Sequence, residues 1–140
     1  MSVIGEHALG WLALGALGIA ASRGQRRREW IRATQSVVAA HATAVLLKRV
    51  VRRPRPDDPR IQVFVSTASR LSFPSAHVAS TTAAAVAYGP LLALGRAVPA
   101  SVAATMAGSR LVLGVHFPSD VAIGVMVGGA VAVSMRRVRT

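Results

Sequence analysis

The chain contains no cysteine, which excludes disulfides and thiolate metal sites alike. Acidic residues are nearly as scarce: Glu6, Glu29, Asp57, Asp58 and Asp120 are all that 140 residues supply. Magnesium and calcium are held by several oxygen ligands, usually carboxylates, so the composition predicts no metal and calls for no other cofactor. Lysine is reduced to Lys48 among 17 basic residues, the rest being arginine. What remains is positive charge, +12 in all, on a chain that is 52% hydrophobic. Basic chains invite a nucleic-acid reading because Lys and Arg release counterions from phosphates. Here the charge lies in clumps between apolar runs, at 23–32, 48–60 and 136–139, and no nucleic-acid motif accompanies it. Nucleic acid is not an expected partner.

Apolar runs cover about 7–21, 33–51, 77–95, 97–114 and 119–135. A membrane-spanning helix needs about 20 apolar residues, with roughly 17 as a lower bound. The first run is marginal and the others are long enough. The first is also a poor signal peptide, since its arginines follow the apolar stretch instead of preceding it. A soluble bundle would show a polar face every 3.6 residues, and 121–133 has none. The sequence therefore predicts an all-α fold, a polytopic membrane bundle of about five transmembrane helices in a single domain, 1–140, with the bilayer as its partner.

Five spans would put the connections at 22–32 and 95–97 on one side with the C-terminal tail. The segment 52–76 and the turn 114–119 would share the other. Setting aside Lys48, Arg55 and Arg110, the tail side carries more basic residues, which predicts a cytoplasmic tail and an outward-facing opposite end of a plasma-membrane protein. Trp11 and Trp30 are candidate interfacial anchors. Gly124 and Gly128 form a small-xxx-small pair suited to close packing within the chain. Pro54, Pro56 and Pro59 make 52–60 a stiff loop, where Asp57 and Asp58 serve solvation.

Three clusters would meet at one membrane face. His116 precedes Pro118-Ser119-Asp120, a typical helix opening, with Asp120 four residues on. A carboxylate there can fix the imidazole tautomer and leave the other ring nitrogen to attack phosphorus. Arg110, beside Ser109, is an arginine in an apolar span, costly and functional by default, and its forked donors suit phosphate oxygens. Pro74-Ser75-Ala76-His77 opens the third run, with Ser75 as N-cap and free amides after it that favour an anion. His77 could protonate a leaving alkoxide and then activate water. Lys48 and Arg55 can deliver positive charge to the same phosphate. Arg49, Arg52 and Arg53 are read as solvated or headgroup-facing, His41 as a hydrogen-bonded packing residue, and His7 has no evident partner.

These clusters resemble the type 2 phosphatidic acid phosphatases, which share their site with vanadium haloperoxidases. The family pattern Lys-x6-Arg-Pro, Pro-Ser-Gly-His, Ser-Arg-x5-His-x3-Asp appears as Lys48-x6-Arg55-Pro56, Pro74-Ser75-Ala76-His77 and Ser109-Arg110-x5-His116-x3-Asp120. The resemblance implies a helical phosphatase core with His116 as nucleophile, Asp120 orienting it and His77 as general acid. It implies that Lys48, Arg55, Ser75 and Arg110 bind phosphate, helped by the amides near Ala76. It also implies a metal-independent enzyme acting on a lipid phosphate: a polyprenyl-linked phosphoribose, undecaprenyl diphosphate or phosphatidylglycerol phosphate. The chain departs in having Ala76 for the usual Gly, and five candidate spans where membrane members commonly have six.

Overall fold

In the computed structural model, residues 6–57, 67, 69–95 and 97–137 are described, without the side chains of residues 6 and 7. Asp58, Pro59, Arg60 and the His7 side chain, each given a reading above, lie outside this set. Five helices follow in order: α1 (Glu6–Ala21), α2 (Gly24–Val51), α3 (Ala76–Tyr88), α4 (Ala97–Val112) and α5 (Pro118–Arg137). Each falls on one of the five apolar runs.

The packing is inverted relative to a water-soluble domain. Small residues fill the interior: Ala40, Ala44, Ala79, Ala83 and Ala132 are fully buried. Large apolar side chains point outward from the other helices, among them Leu9, Leu17, Leu46, Val50, Val112 and Met126. So many exposed large apolar side chains are unfavourable in water and suit lipid. By length and composition α5 alone among the described residues is apolar enough to cross a bilayer, and Ala8–Ala21 is apolar but shorter. The central helix is α3, which is buried on nearly every side and packs against all four other helices. It touches protein where the outer helices expose apolar side chains, so Ser80, Thr81 and Thr82 are accommodated in it.

Two features differ from the sequence expectation. The connection expected at 22–32 shrinks to two residues, because the arginine clump forms the first turns of α2. Arginine is a good helix former, and its long stem lets the charge reach water from a helical position. The run 77–95 breaks after Tyr88, where Pro90 has no N–H to give to Val86. A turn follows in which the Leu94 amide donates to the Gly89 carbonyl (3.0 Å).

Trp30 is not an interfacial anchor. It is buried against Tyr88, ring centroids 5.2 Å apart, in a space that Gly18 leaves by having no Cβ. Trp11 also packs inward and donates its indole N–H to Thr81 Oγ1 (3.1 Å), while Tyr88 OH donates to the Trp11 carbonyl (3.1 Å). His41 packs in α2 as expected, but its buried Nδ1 has no hydrogen-bond partner among the described residues.

The contact that sets the site is α3 on α5. A Cβ on Gly124 would stand 2.8 Å from the Ser75 carbonyl, and one on Gly128 would run into the Ala79 carbonyl. Only glycine lets these two backbones approach so closely. The small-xxx-small pair thus works within the chain and brings the starts of α3 and α5 together.

Candidate active site

All three clusters meet at one end of the bundle. Lys48 comes from the last turn of α2, Ser75 and His77 from the start of α3, Arg110 from the end of α4, and His116 and Asp120 from the start of α5. The Ser75 amide donates to the Asp120 carbonyl (3.0 Å), which ties the two helix openings together. The segments 52–57 and 69–75 close over this end. They are joined by an antiparallel bridge between Pro54 and Leu71 and by the Ser72 amide bonding the Arg53 carbonyl (2.8 Å).

His116 is the centre of the arrangement. It is 5% exposed, and Asp120 is fully buried beside it. Nδ1 stands 3.5 Å from Asp120 Oδ2, a separation at which the carboxylate orients the ring more than it bonds it. On the other side Nε2 lies 3.3 Å from Arg55 Nη1. A guanidinium can only donate, so Nε2 carries the lone pair and Nδ1 the proton that faces Asp120. Burial, together with the positive charges of Arg55, Lys48, His77 and Arg110, lowers the His116 pKa from 6.5 to about 3. At neutral pH the ring is a neutral base with its free electron pair turned toward cations.

Asp120 is held in turn. Its Oδ2 accepts the Phe117 amide (2.8 Å), and its Oδ1 accepts Arg53 Nη1 (3.2 Å). The same Arg53 nitrogen donates to Ser119 Oγ (2.7 Å), and the guanidinium lies 4.0 Å from the centroid of the Phe117 ring. Arg53 is therefore bonded to the start of α5 and only partly solvated, where the sequence reading had it solvated or headgroup-facing. The signal that could have found it is local. Pro54 sits in extended chain, where residues two apart share a side, so Arg53 accompanies Arg55 toward the start of α5.

Lys48 and Arg55 are built into the rim. Lys48 Nζ donates to the carbonyls of Leu71 (3.0 Å) and Ser72 (3.1 Å), leaving one of its three protons for a further acceptor. Arg55 donates from Nε to the Ser69 carbonyl (2.8 Å) and from Nη1 to the Val115 carbonyl (2.6 Å), and among the described residues Nη2 makes no bond. Burial lowers the Arg55 pKa, which Asp120 opposes. Arg110 has Nε on Ser109 Oγ (3.3 Å). Ser75 is the N-cap of α3 but makes no side-chain capping bond, and its fully buried Oγ has no partner among the described residues. Beside it the first amides of α3, from Ala76 onward, have no acceptor within the helix. Arg55 thus faces the lone pair of His116, and the charges of Lys48, His77 and Arg110 lie close enough to act on the ring. Among the described residues no three of His, Asp and Glu come together as a metal site would require.

Residues 29–140 match the PAP2 superfamily. The chain belongs to that family. It is 54% identical over 131 residues, 94% of its own length and 72% of the relative's, to the decaprenylphosphoryl-5-phosphoribose phosphatase of Mycobacterium tuberculosis. The enzyme of the same name from Mycolicibacterium smegmatis is 54% identical over 124 residues, 89% of this chain and 67% of that one. Among solved structures, the transmembrane PAP2-type phosphatidylglycerolphosphate phosphatase of Bacillus subtilis superposes with a TM-score of 0.76 at 21% identity, covering 94% of this chain and 72% of that one. The fold is that of a PAP2 membrane phosphatase, and the chain is an enzyme of that class, a lipid phosphatase.

Proposed function

We propose that this PAP2 phosphatase hydrolyses decaprenylphosphoryl-5-phosphoribose at its 5-phosphate, through a phosphohistidine at His116. The substrate is the one for which the mycobacterial relatives are named, and the 54% identity along most of the chain supports it. The observation that carries the mechanism is the buried, neutral ring of His116, with one nitrogen toward a carboxylate and the other toward clustered cations.

In this reading phosphate enters between Arg55 and His116. Its oxygens take the Arg55, Lys48 and Arg110 donors, the Ser75 hydroxyl and the α3 amides at Ala76 and His77. That draws Arg55 off Nε2 and frees the lone pair. Nε2 attacks phosphorus in line, and the bond to the ribose 5-oxygen breaks. His77 gives its proton to the departing oxygen. The phosphorylated ring keeps its Nδ1 proton, and Asp120 balances the positive charge that results. His77, now neutral, takes a proton from water; the hydroxide attacks phosphorus, the N–P bond breaks, and phosphate and the starting ring are restored. The fixed cations stabilise the equatorial oxygens in both steps.

The site faces outward, with the tail side in the cytoplasm. Arg53 is engaged on Asp120, which leaves the site side with fewer loop cations than the sequence count implied and supports this orientation.

The test is phosphate release with EDTA present from decaprenylphosphoryl-5-phosphoribose, undecaprenyl diphosphate and phosphatidylglycerol phosphate, each with wild type and His116→Ala. Selective release of ribose-linked phosphate, lost in His116→Ala, is expected, with an acid-labile, base-stable phosphoenzyme on rapid quenching. Full turnover by His116→Ala would end the mechanism. Preference for either other lipid would end the substrate assignment and leave the mechanism standing.

A further inference from the structure

At the end of the bundle away from His116, a cavity of about 720 Å³ opens between the start of α2, the turn after α3 and the end of α5. Arg28, Arg32 and Arg136 line it, over walls formed by Ala33, Ala87 and Met135. Arg28 and Arg32 are four apart on α2 and so lie on one face, while Arg136 is in the last turn of α5. Among the described residues Glu29 supplies the one carboxylate at the cavity, and it accepts the Gln25 amide (3.2 Å) and pairs with no arginine. Among the described residues no partner engages any of these three guanidiniums. Neighbouring Arg26 behaves differently, with its charge bonded to the Leu91 carbonyl (2.7 Å).

Three like charges around one concavity repel unless an anion sits among them. The position along the membrane says what kind of anion. Arg28 and Lys48 are twenty residues apart on one continuous helix, a rise of about 30 Å, and the hydrocarbon core of a bilayer is also about 30 Å thick. With Lys48 at the catalytic end, Arg28 stands at the headgroup level of the opposite leaflet. The cavity itself is mostly polar, with Ala33, Ala87, Pro90, Leu91 and Met135 as its apolar part, and outside it Leu17, Leu92 and Leu94 are exposed on α1 and the turn after α3. Charge inside the cavity and exposed leucines outside it fit a phosphodiester headgroup held within and acyl chains lying along the outer surface, a basic pocket between helices of the kind that holds anionic lipid.

We propose that this cavity is a binding site for an anionic phospholipid from the leaflet opposite the catalytic one, a lipid that is retained and not hydrolysed. It is independent of which lipid phosphate the enzyme cleaves. The headgroup would bridge α2 and α5, whose far ends carry Lys48 and Asp120.

The experiment is lipid retention by the detergent-purified full chain, read by native mass spectrometry, with vanadate present to fill the catalytic site. Phosphatidylglycerol is titrated against phosphatidylcholine with the same acyl chains, and inorganic phosphate is added in a separate arm. Wild type is expected to hold one phosphatidylglycerol at least ten-fold more tightly than phosphatidylcholine. Inorganic phosphate should not displace it at comparable concentration. The Arg28→Gln/Arg32→Gln/Arg136→Gln variant should lose that preference ten-fold or more, yet keep its turnover in detergent within two-fold. The Arg28→Lys/Arg32→Lys/Arg136→Lys variant, which keeps the charge, should recover most of the binding. Equal retention of the two lipids by wild type, or undiminished binding in the Gln variant, would overturn the proposal. So would displacement by inorganic phosphate, which marks a free-anion site, or equal losses in the Lys and Gln variants, which mark a structural effect.

Discussion

Removing Arg53 tests whether the orientation of His116 depends on a residue that touches neither the ring nor the phosphate. Its side chain is 35% exposed, while that of Asp120, which it bonds, is wholly buried. A hydrogen bond to a charged group contributes about 1.5–3 kcal/mol, and an exposed cation–π contact about 0.5–1 kcal/mol. Water can replace part of this from the exposed side, so Arg53→Ala should lower stability by about 2 kcal/mol. With Oδ1 released, Asp120 is held by the Phe117 amide alone and its carboxylate can rotate away from His116 Nδ1. If half the loss appears as misalignment, the barrier rises by about 1 kcal/mol and kcat falls roughly five-fold. Direct loss of the carboxylate in Asp120→Ala should cost far more, on the order of 10⁴-fold, as for the orienting acid of other histidine-centred sites. The assay is steady-state phosphate release, with rapid-quench measurement of phosphoenzyme formation. Arg53→Ala should lower kcat with little change in KM, and Arg53→Lys should recover part of it. In an Asp120→Ala background the same substitution should have almost no further effect, because the two residues act as one unit. A rise in KM at constant kcat would mean that Arg53 meets the substrate, and additive losses in the double variant would separate it from Asp120; either result refutes the reasoning.

Four further outcomes are expected. Ser75→Ala should leave thermal stability unchanged or slightly higher, because the buried Oγ has no partner to lose, while KM rises several-fold; a large drop in melting temperature would show that the hydroxyl is structurally bonded. His116 has a folded pKa of about 3 against 6.5 unfolded, so the unfolded chain binds the proton first and stability falls as pH drops from about 6.5 toward 3, by at most about 5 kcal/mol; wild type should lose melting temperature over that window more steeply than His116→Gln, and parallel curves would contradict the burial of a neutral ring. Gly128→Val drives a side chain into the Ala79 carbonyl and Thr82 and should cost about 3 kcal/mol or more of stability with loss of activity, whereas Gly129→Ala, with open space at its Cβ, should be silent in the same melting assay. Because the chain has no cysteine, a single Thr67→Cys reports sidedness directly: an impermeant maleimide should label it in intact cells, and labelling only after lysis would reverse the orientation.

Much of the site was legible because the bilayer makes charge conspicuous. Arg110 and Asp120 stand out against apolar surroundings and Lys48 as the one lysine of the chain, and an even number of helices between clusters brings them to one end whatever the packing details. The small-xxx-small spacing of Gly124 and Gly128 was equally readable, since only a close neighbour explains it. What escaped was set by partners distant in sequence. Arg53 looks like any loop cation until α5 places Asp120 and Phe117 beside it. Trp30 looks like an interface anchor until Gly18 opens a pocket for its ring. The arginines at 26–32 read as a loop because charge was taken for a break, although their backbone continues α2 without interruption.

Lys48 and Arg55 each hold loop carbonyls with the same side chains that face the phosphate in the proposed mechanism, and this double duty affects how any substitution there is to be read. An alanine at either position removes a cation and at the same time unfastens the segment that closes the site. The measured loss will then exceed the electrostatic share, and the two losses will not add. Arg110, whose guanidinium grips none of these rim carbonyls, is the cleaner gauge of what one positive charge contributes to phosphoryl transfer here. Comparing it with Lys48 and Arg55 separates grip on the substrate from upkeep of the enclosure.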